Sequence, residues 1–147
     1  MNKSILIVIL SGLISLICMS IQAEPVADSL YKRLGGYAAI SAVVDDLAER
    51  LASNEQLGRF YTHRGVDGVA REKQLTKDFI TAKTGGPIYY TGRNMKLAHT
   101  GMRMSKSDLT IFMTLLNETL NKFNVPSQEK KEVINLINSL GAVIVEQ

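Results

Sequence analysis

The sequence predicts one all-α domain behind an apolar leader. Three observations lead there. Apolar residues recur at helical spacing in three stretches. No run alternates with period two for long enough to make a strand. The breaks at Gly35-Gly36, Gly85-Gly86-Pro87 and Pro126 fall between the helical stretches. The chain has 147 residues, the size of one domain once a leader is removed.

Residues 1–23 read as the leader. Lys3 is the only charge before Glu24, and the apolar run from Ile5 to Ile21 ends at "IQA-EP", with Ala23 a small residue before a cleavage point. That arrangement predicts an exported protein, periplasmic or secreted, whose domain is residues 24–147. An uncleaved segment would instead anchor the chain to the membrane, the one membrane role the sequence offers. A lipid anchor on Cys18 is a third reading, weakened by the bulky Ile17 beside it. Cys18 is the only cysteine. A cleaved chain would have none, which excludes disulfides, zinc–thiolate sites, cysteine nucleophiles and C-x-x-C-H haem attachment.

The first long helix is expected over 37–52, where Ile40, Val43, Val44, Leu47 and Leu51 share a face opposite Asp45, Asp46, Glu49 and Arg50. Segment 66–83 carries a weaker face of Val69, Leu75, Phe79 and Ile80. It ends at "TGGP", where a glycine permits a left-handed helix end and proline forbids continuation. Leu109, Phe112, Met113, Leu116, Leu120 and Phe123 form the next stripe, with Ser105 and Asp108 spaced as a capping box at its start. The last stripe is Val133, Ile134, Ile137, Leu140 and Ile144, with Ser127 as candidate N-cap. Short helical turns are expected near 28–34, 55–61 and 93–99, and "PIYYTG" is too short for a strand.

Net charge excludes little. The chain carries 17 basic and 14 acidic residues, and removing Lys3 with the leader leaves 16 against 14, or +2. The charges are interspersed, as in "DDLAER" and "QEKKEV", so they describe a solvated surface and not a nucleic-acid interface.

His99, in "GRNMKLAHTGM", is one of two histidines. It shares a helical face with Met95 and Met102. One imidazole among Met, Leu and Ala is too few ligands for a closed zinc site. It is either a core or surface histidine with a satisfied polar tip, or the single protein ligand to a metal that four other donors already hold, as in haem. The residues around it leave both readings open. His63, in "THRGVDG", reads as an exposed loop residue, with a sixth ligand to iron as the alternative.

The ordered set "LYKRLGGYAAISAVVDDLAERLASNEQLGRFY", "TGGPIYYTGRNMKLAHTGMRMS" and "FNVPSQEKKEVINLI" resembles the group I truncated haemoglobins over residues 29 to 146. The Gly-Gly-Pro followed by Tyr-x-Gly-x-x-Met-Lys-x-x-His-x-Gly is the specific part. The resemblance implies a shortened globin fold, a two-over-two helical sandwich enclosing non-covalent haem b. His99 matches the proximal iron ligand, and Met95 the residue packed against the proximal side of the porphyrin. Tyr90 matches a tyrosine near the haem propionates, where Lys96 or Arg93 would pair with carboxylates. Tyr61, with Phe60 before it, stands where the family has an aromatic over the haem edge. Phe79, Ile80, Leu109, Phe112, Val133 and Ile137 match apolar lining positions, although each would be ordinary core in any helical protein.

On the distal side the sequence departs from the family. Ala48 stands where a tyrosine commonly donates to the bound gas, and a methyl group donates nothing. The other distal positions fall on Glu72, Leu75 and Thr76, or on Lys73 and Gln74 if the helix is misregistered by one residue. Thr76 or Gln74 could replace the missing donor, Lys73 or a water could ligate the iron, and Glu72 is expected to turn out to water. Loss of the donor should weaken oxygen retention by about 1–2 kcal/mol.

The resemblance therefore implies a haemoprotein binding O₂, NO or CO opposite His99, with oxygen storage or transport in doubt. The enzymatic alternatives are an NO dioxygenase, which needs retained oxygen and an unidentified reductase, and a weak peroxidase, which needs a distal base or cation. A helical interaction module that has lost its haem is a third reading, opposed by His99, Met95 and Tyr90.

Overall fold

The computed structural model describes residues 29–146. The leader, Cys18 and the cleavage point lie outside the described residues. Six α-helices run in order: α1 Leu30–Arg33, α2 Gly36–Ser53, α3 Gly65–Lys83, α4 Met95–His99, α5 Lys106–Lys122 and α6 Ser127–Ile144, with a 3-10 turn at Gly58–Phe60. Among the described residues there is no strand, and no helix is long and apolar enough to cross a membrane.

Helices α2 and α3 pack on one another, α5 packs on α6, and α2 lies across α5, so that two helix pairs make the sandwich. The helical stripes read from the sequence become its centre. Leu47 and Leu51 of α2, Leu57, Leu116 and Leu120 of α5 and Val133 of α6 form one buried cluster, with Phe60, Tyr61, Phe112 and Ile137 packed against it. Each such aliphatic side chain contributes about 1.5–3 kcal/mol through removal from water.

Ion pairs fix how the layers sit. Asp45 of α2 meets both Lys73 and Lys77 of α3 at 2.9 Å. Asp46 joins Arg50 at 2.8 Å and also pairs with Lys122 of α5. Arg33 of α1 reaches Glu129 at 3.0 Å and Glu132 at 2.6 Å on α6.

The Gly-Gly-Pro break is a close-packed turn. Gly85 has φ +87°, which glycine adopts without strain. A Cβ on Gly86 would lie 2.5 Å from Thr81 and 2.6 Å from Tyr31. Tyr31 is fixed at both ends, since its amide donates to Thr84 O at 2.8 Å and its hydroxyl accepts from the Tyr37 amide at 3.1 Å. The motif thus locks the end of α3 against the start of the domain.

The capping box forms as expected: the Ser105 hydroxyl accepts from the Asp108 amide, and the Asp108 carboxylate accepts from the Ser105 amide. The expected cap at Ser127 is one residue late. Pro126 occupies the N-cap position, and Ser127 is the first helical residue.

Candidate functional site

α4 is only five residues long, and its ends explain how it presents His99. Asn94 caps it by accepting from the Leu97 amide at 2.9 Å. It ends at His99, with the Thr100 amide and hydroxyl both donating to Lys96 O at 2.9 and 2.7 Å. Met102 therefore lies beyond the helix and does not continue its face; its amide donates to His99 O at 3.0 Å. Gly101 and Arg103, both at positive φ, turn the chain back. Glu146 then clasps this turn: its carboxylate accepts from the Gly101 amide at 2.8 Å and the Arg103 amide at 2.6 Å, and its own amide donates to Met104 O at 2.8 Å.

The His99 ring is half-buried, with Nδ1 2.8 Å from Met95 O. A carbonyl only accepts, so Nδ1 carries the proton and a neutral ring presents its lone pair at Nε2. A hydrogen bond of this kind is what holds a metal-binding imidazole in tautomer and orientation. Among the described residues no three His, Asp or Glu side chains converge as a metal site. A metal bound by His99 would have to bring its remaining ligands with it.

Beside α4, Tyr90 is half-buried and its hydroxyl donates to Arg93 O at 2.9 Å. Its ring meets buried Phe79 edge-on at 5.2 Å, tying the loop before α4 to α3. Arg93 and Lys96 are exposed and pair with no acidic residue among those described. Ile80 is half-buried one position after Phe79. Leu109 packs toward the α5–α6 crossing, where a Cβ on Gly141 would come within 2.9 Å of it.

On α3, Lys73 and Gln74 are engaged by neighbouring side chains. Lys73 is held by Asp45, and the Gln74 amide donates to Tyr37 and Asp78, each at 2.8 Å. Neither side chain turns inward. Thr76 is exposed, and its hydroxyl donates to Glu72 O at 2.9 Å, so it does not replace the donor missing at Ala48.

Glu72, expected to turn out to water, is half-buried and pairs with a cation. Its Oε2 is buried and lies 2.6 Å from Arg64 Nη1, outside hydrogen-bonding alignment. Arg64 is itself braced, donating from Nε to Phe60 O at 2.8 Å. This cation offsets the partial burial of the carboxylate, and it comes from the loop before α3, where helical periodicity gives no signal. Burial raises the Glu72 carboxyl above its ordinary value, while Arg64 and then His99 act to lower it. Burial likewise pushes the Tyr61 phenol up to about 12, with the Glu72 charge adding to the rise. Glu72 is therefore within electrostatic reach of both Tyr61 and His99. His63 is exposed.

Sequence and structure comparisons identify the family. Residues 29–146 match the family model of the bacterial-like globins. The chain is 32% identical over 123 residues to the group 1 truncated hemoglobin GlbN of Mycolicibacterium paratuberculosis, covering 84% of this chain and 87% of that protein. The chain belongs to the group 1 truncated haemoglobins. It is 28% identical over 109 residues to that of Tetrahymena thermophila, covering 74% of this chain and 88% of the relative. The crystal structure of the 2/2 hemoglobin from Synechococcus sp. PCC 7002, in the cyanomet state and with covalently attached heme, superposes with TM-score 0.73 at 27% identity, over 81% of this chain and 99% of that one. A single-substitution variant of the Tetrahymena pyriformis truncated hemoglobin in its Fe(III) form gives TM-score 0.74 at 25% identity, with the same coverage. The two-over-two helical sandwich is thus the fold of this truncated haemoglobin, and membership places it among haem-based gas-binding proteins.

Proposed function

We propose that this truncated haemoglobin is an exported, non-covalent haem b protein that takes O₂, NO or CO at the iron, opposite His99. The observation that carries the reading is the His99 Nδ1 bond to Met95 O at 2.8 Å, because it leaves Nε2 as a lone-pair donor on a short, doubly tethered helix. Haem fits this donor set: one neutral imidazole suffices when a porphyrin supplies the other four nitrogens. When bound, the group would supply an iron able to take a small diatomic ligand.

The chain's own residues do the rest. His99 would hold the iron, with Met95 against the proximal face. Phe60, Tyr61, Phe79, Ile80, Leu109, Phe112, Val133 and Ile137 would supply apolar surface that excludes water. Arg93 and Lys96, without acidic partners among the described residues, suit the propionate carboxylates, with Tyr90 beside them. Ala48, Leu75 and Glu72 would face the gas. The lack of cysteine outside the leader supports non-covalent attachment, and the leader supports export.

The binding reading draws more support than an NO dioxygenase. With Ala48 in place and the Thr76 hydroxyl committed to its own helix, neither residue donates to retain oxygen for that reaction. Titration with hemin, followed by CO and NO addition to the reduced protein, tests the proposal. One haem per chain and saturable gas binding are expected, with uptake weakened in His99→Ala. Failure of the wild-type chain to take up one haem would overturn it.

A further inference from the structure

α4 carries the candidate iron ligand but is too short to hold itself. It has five residues, well under the roughly 12–15 below which isolated helices are marginal in water, so its ends must be fixed from outside. The Asn94 cap fixes the first end. The second end, at His99, runs straight into a turn with two residues at positive φ, Gly101 at +83° and Arg103 at +53°. Glycine takes that conformation without strain, whereas an arginine needs its surroundings to hold it there. Glu146 supplies the hold. One carboxylate oxygen accepts from the Gly101 amide at 2.8 Å and the other from the Arg103 amide at 2.6 Å. Its own amide donates to Met104 O at 2.8 Å. Between the two clasped residues, the Met102 amide donates to His99 O at 3.0 Å. The clasp is itself anchored, since Ile144, two residues before it, is buried at the end of α6 and the Val145 amide donates to Gly141 O at 3.1 Å.

We infer, on the basis of the haem-binding reading above, that Glu146 is a positioning residue for His99: by clasping the turn after α4 to the end of α6, it fixes the direction in which the imidazole meets the iron and so helps to retain the haem. The chain of contacts is short. Glu146 holds the amides on either side of Met102, Met102 holds the His99 carbonyl, and the His99 ring is locked to the Met95 carbonyl one turn earlier. Without the carboxylate, the Gly101 and Arg103 amides lose their acceptor, and Arg103 loses the contact that offsets its backbone strain. Gly101 and Arg103 are exposed, so water can satisfy their amides. Water cannot supply the fixed distance between α4 and α6. The consequence is therefore a loss of orientation at His99 more than a loss of fold. An imidazole free to tilt overlaps less well with the iron, which weakens that bond and spreads its strength over a range.

The test uses the haem-loaded chain, reduced and gas-free. Resonance Raman spectroscopy reads the iron–imidazole stretch, transfer of haem to a scavenging apoprotein reads retention, and urea unfolding reads stability. Glu146→Ala removes the clasp. Glu146→Gln keeps a carbonyl acceptor for one amide and serves as the conservative rescue. Glu132→Gln is the control, because that carboxylate also ties α6 to another helix, meeting Arg33 at 2.6 Å, but does so far from the turn. In Glu146→Ala the iron–imidazole band should broaden and move to lower frequency. Haem loss should quicken roughly threefold to tenfold, the scale of hydrogen bonds to an exposed charged group. Glu146→Gln should fall between Glu146→Ala and wild type, and Glu132→Gln should leave the band in place even where stability falls. An unchanged band in Glu146→Ala, with haem lost at the wild-type rate, overturns the inference. An equal band shift in Glu132→Gln also overturns it, since the clasp would then be one structural tie among several. A wild-type chain that takes up no haem defeats the haem-binding reading, and this inference with it.

Discussion

Replacing Asp108 by Asn should cost this small domain a large share of its stability. Asp108 is fully buried at the start of α5, yet it gathers donors from three places. Arg59 reaches it through Nη1 at 2.9 Å and Nη2 at 2.6 Å, Gln56 through its amide at 2.6 Å, and Ser105 through both its amide and hydroxyl at 2.8 Å. Gln56 and Arg59 belong to the segment that carries Phe60 and Tyr61, so this carboxylate joins that segment to α5. Asn preserves the shape but removes the charge, and its NH₂ group confronts a donor. Arg59 is 44% exposed and can return to water, which reduces the penalty below that of a fully buried pair. The loss of a bidentate charge-assisted bond, with the cap weakened, comes to about 2–3 kcal/mol, against a total of roughly 5–15 kcal/mol for such domains.

Urea unfolding of the haem-free protein, followed by circular dichroism at pH 7, measures the loss directly, with an unchanged dependence on urea. The pH dependence gives a second check. Hydrogen bonding from Arg59 holds the Asp108 carboxyl well below the usual carboxylate range. Its contribution is therefore full above the unfolded value of about 4 and lost as pH falls toward the folded value. The gap between wild type and Asp108→Asn should narrow below about pH 4. A difference under about 0.5 kcal/mol at pH 7 would refute the reasoning, since that is the scale of an ordinary surface change.

Gly86→Ala should lower the melting temperature by forcing a methyl against Thr81 and Tyr31, with a cost of about 1–3 kcal/mol readable by calorimetry. Phe79→Ala removes a buried ring that meets Tyr90 edge-on; about 3–5 kcal/mol of stability should go, with faster haem loss to a scavenging apoprotein. Ala48→Tyr should slow oxygen release roughly tenfold, the worth of one hydrogen bond, as read by stopped flow; an unchanged rate would show that position 48 does not face the gas. Tyr61 is neutral in the fold up to about pH 12. The unfolded chain ionises it near 10, so stability should fall as pH rises from 10 toward 12. Tyr61→Phe should lack that alkaline loss, as unfolding curves across the range would show.

The parts of the fold legible in the sequence are those set by period and punctuation. The stripe Leu47, Leu51, Leu116, Leu120 and Val133 became the core because helical spacing alone places those residues on inward faces. The Ser105–Asp108 box was legible as a cap, but not as the junction with Gln56 and Arg59, because those partners are separated by about 50 residues of chain. The pairing of half-buried Glu72 with Arg64 was illegible for a related reason. A carboxylate on a helix reads as outward until a cation is found to compensate it, and Arg64 sits in an irregular loop. Glu146, the clasp on the turn after His99, carries no local signal either. His99 was legible as a candidate through its neighbours, whereas its tautomer required the Met95 carbonyl.

The claim on which the account rests is that His99 Nε2 binds the haem iron. Resonance Raman spectroscopy of the reduced, gas-free protein tests it most directly, since the iron–imidazole stretch is a property of that one bond. The account predicts a single iron–imidazole band in wild type that is missing in His99→Ala and restored by added imidazole. A band unchanged in His99→Ala would place the iron on another residue and contradict it.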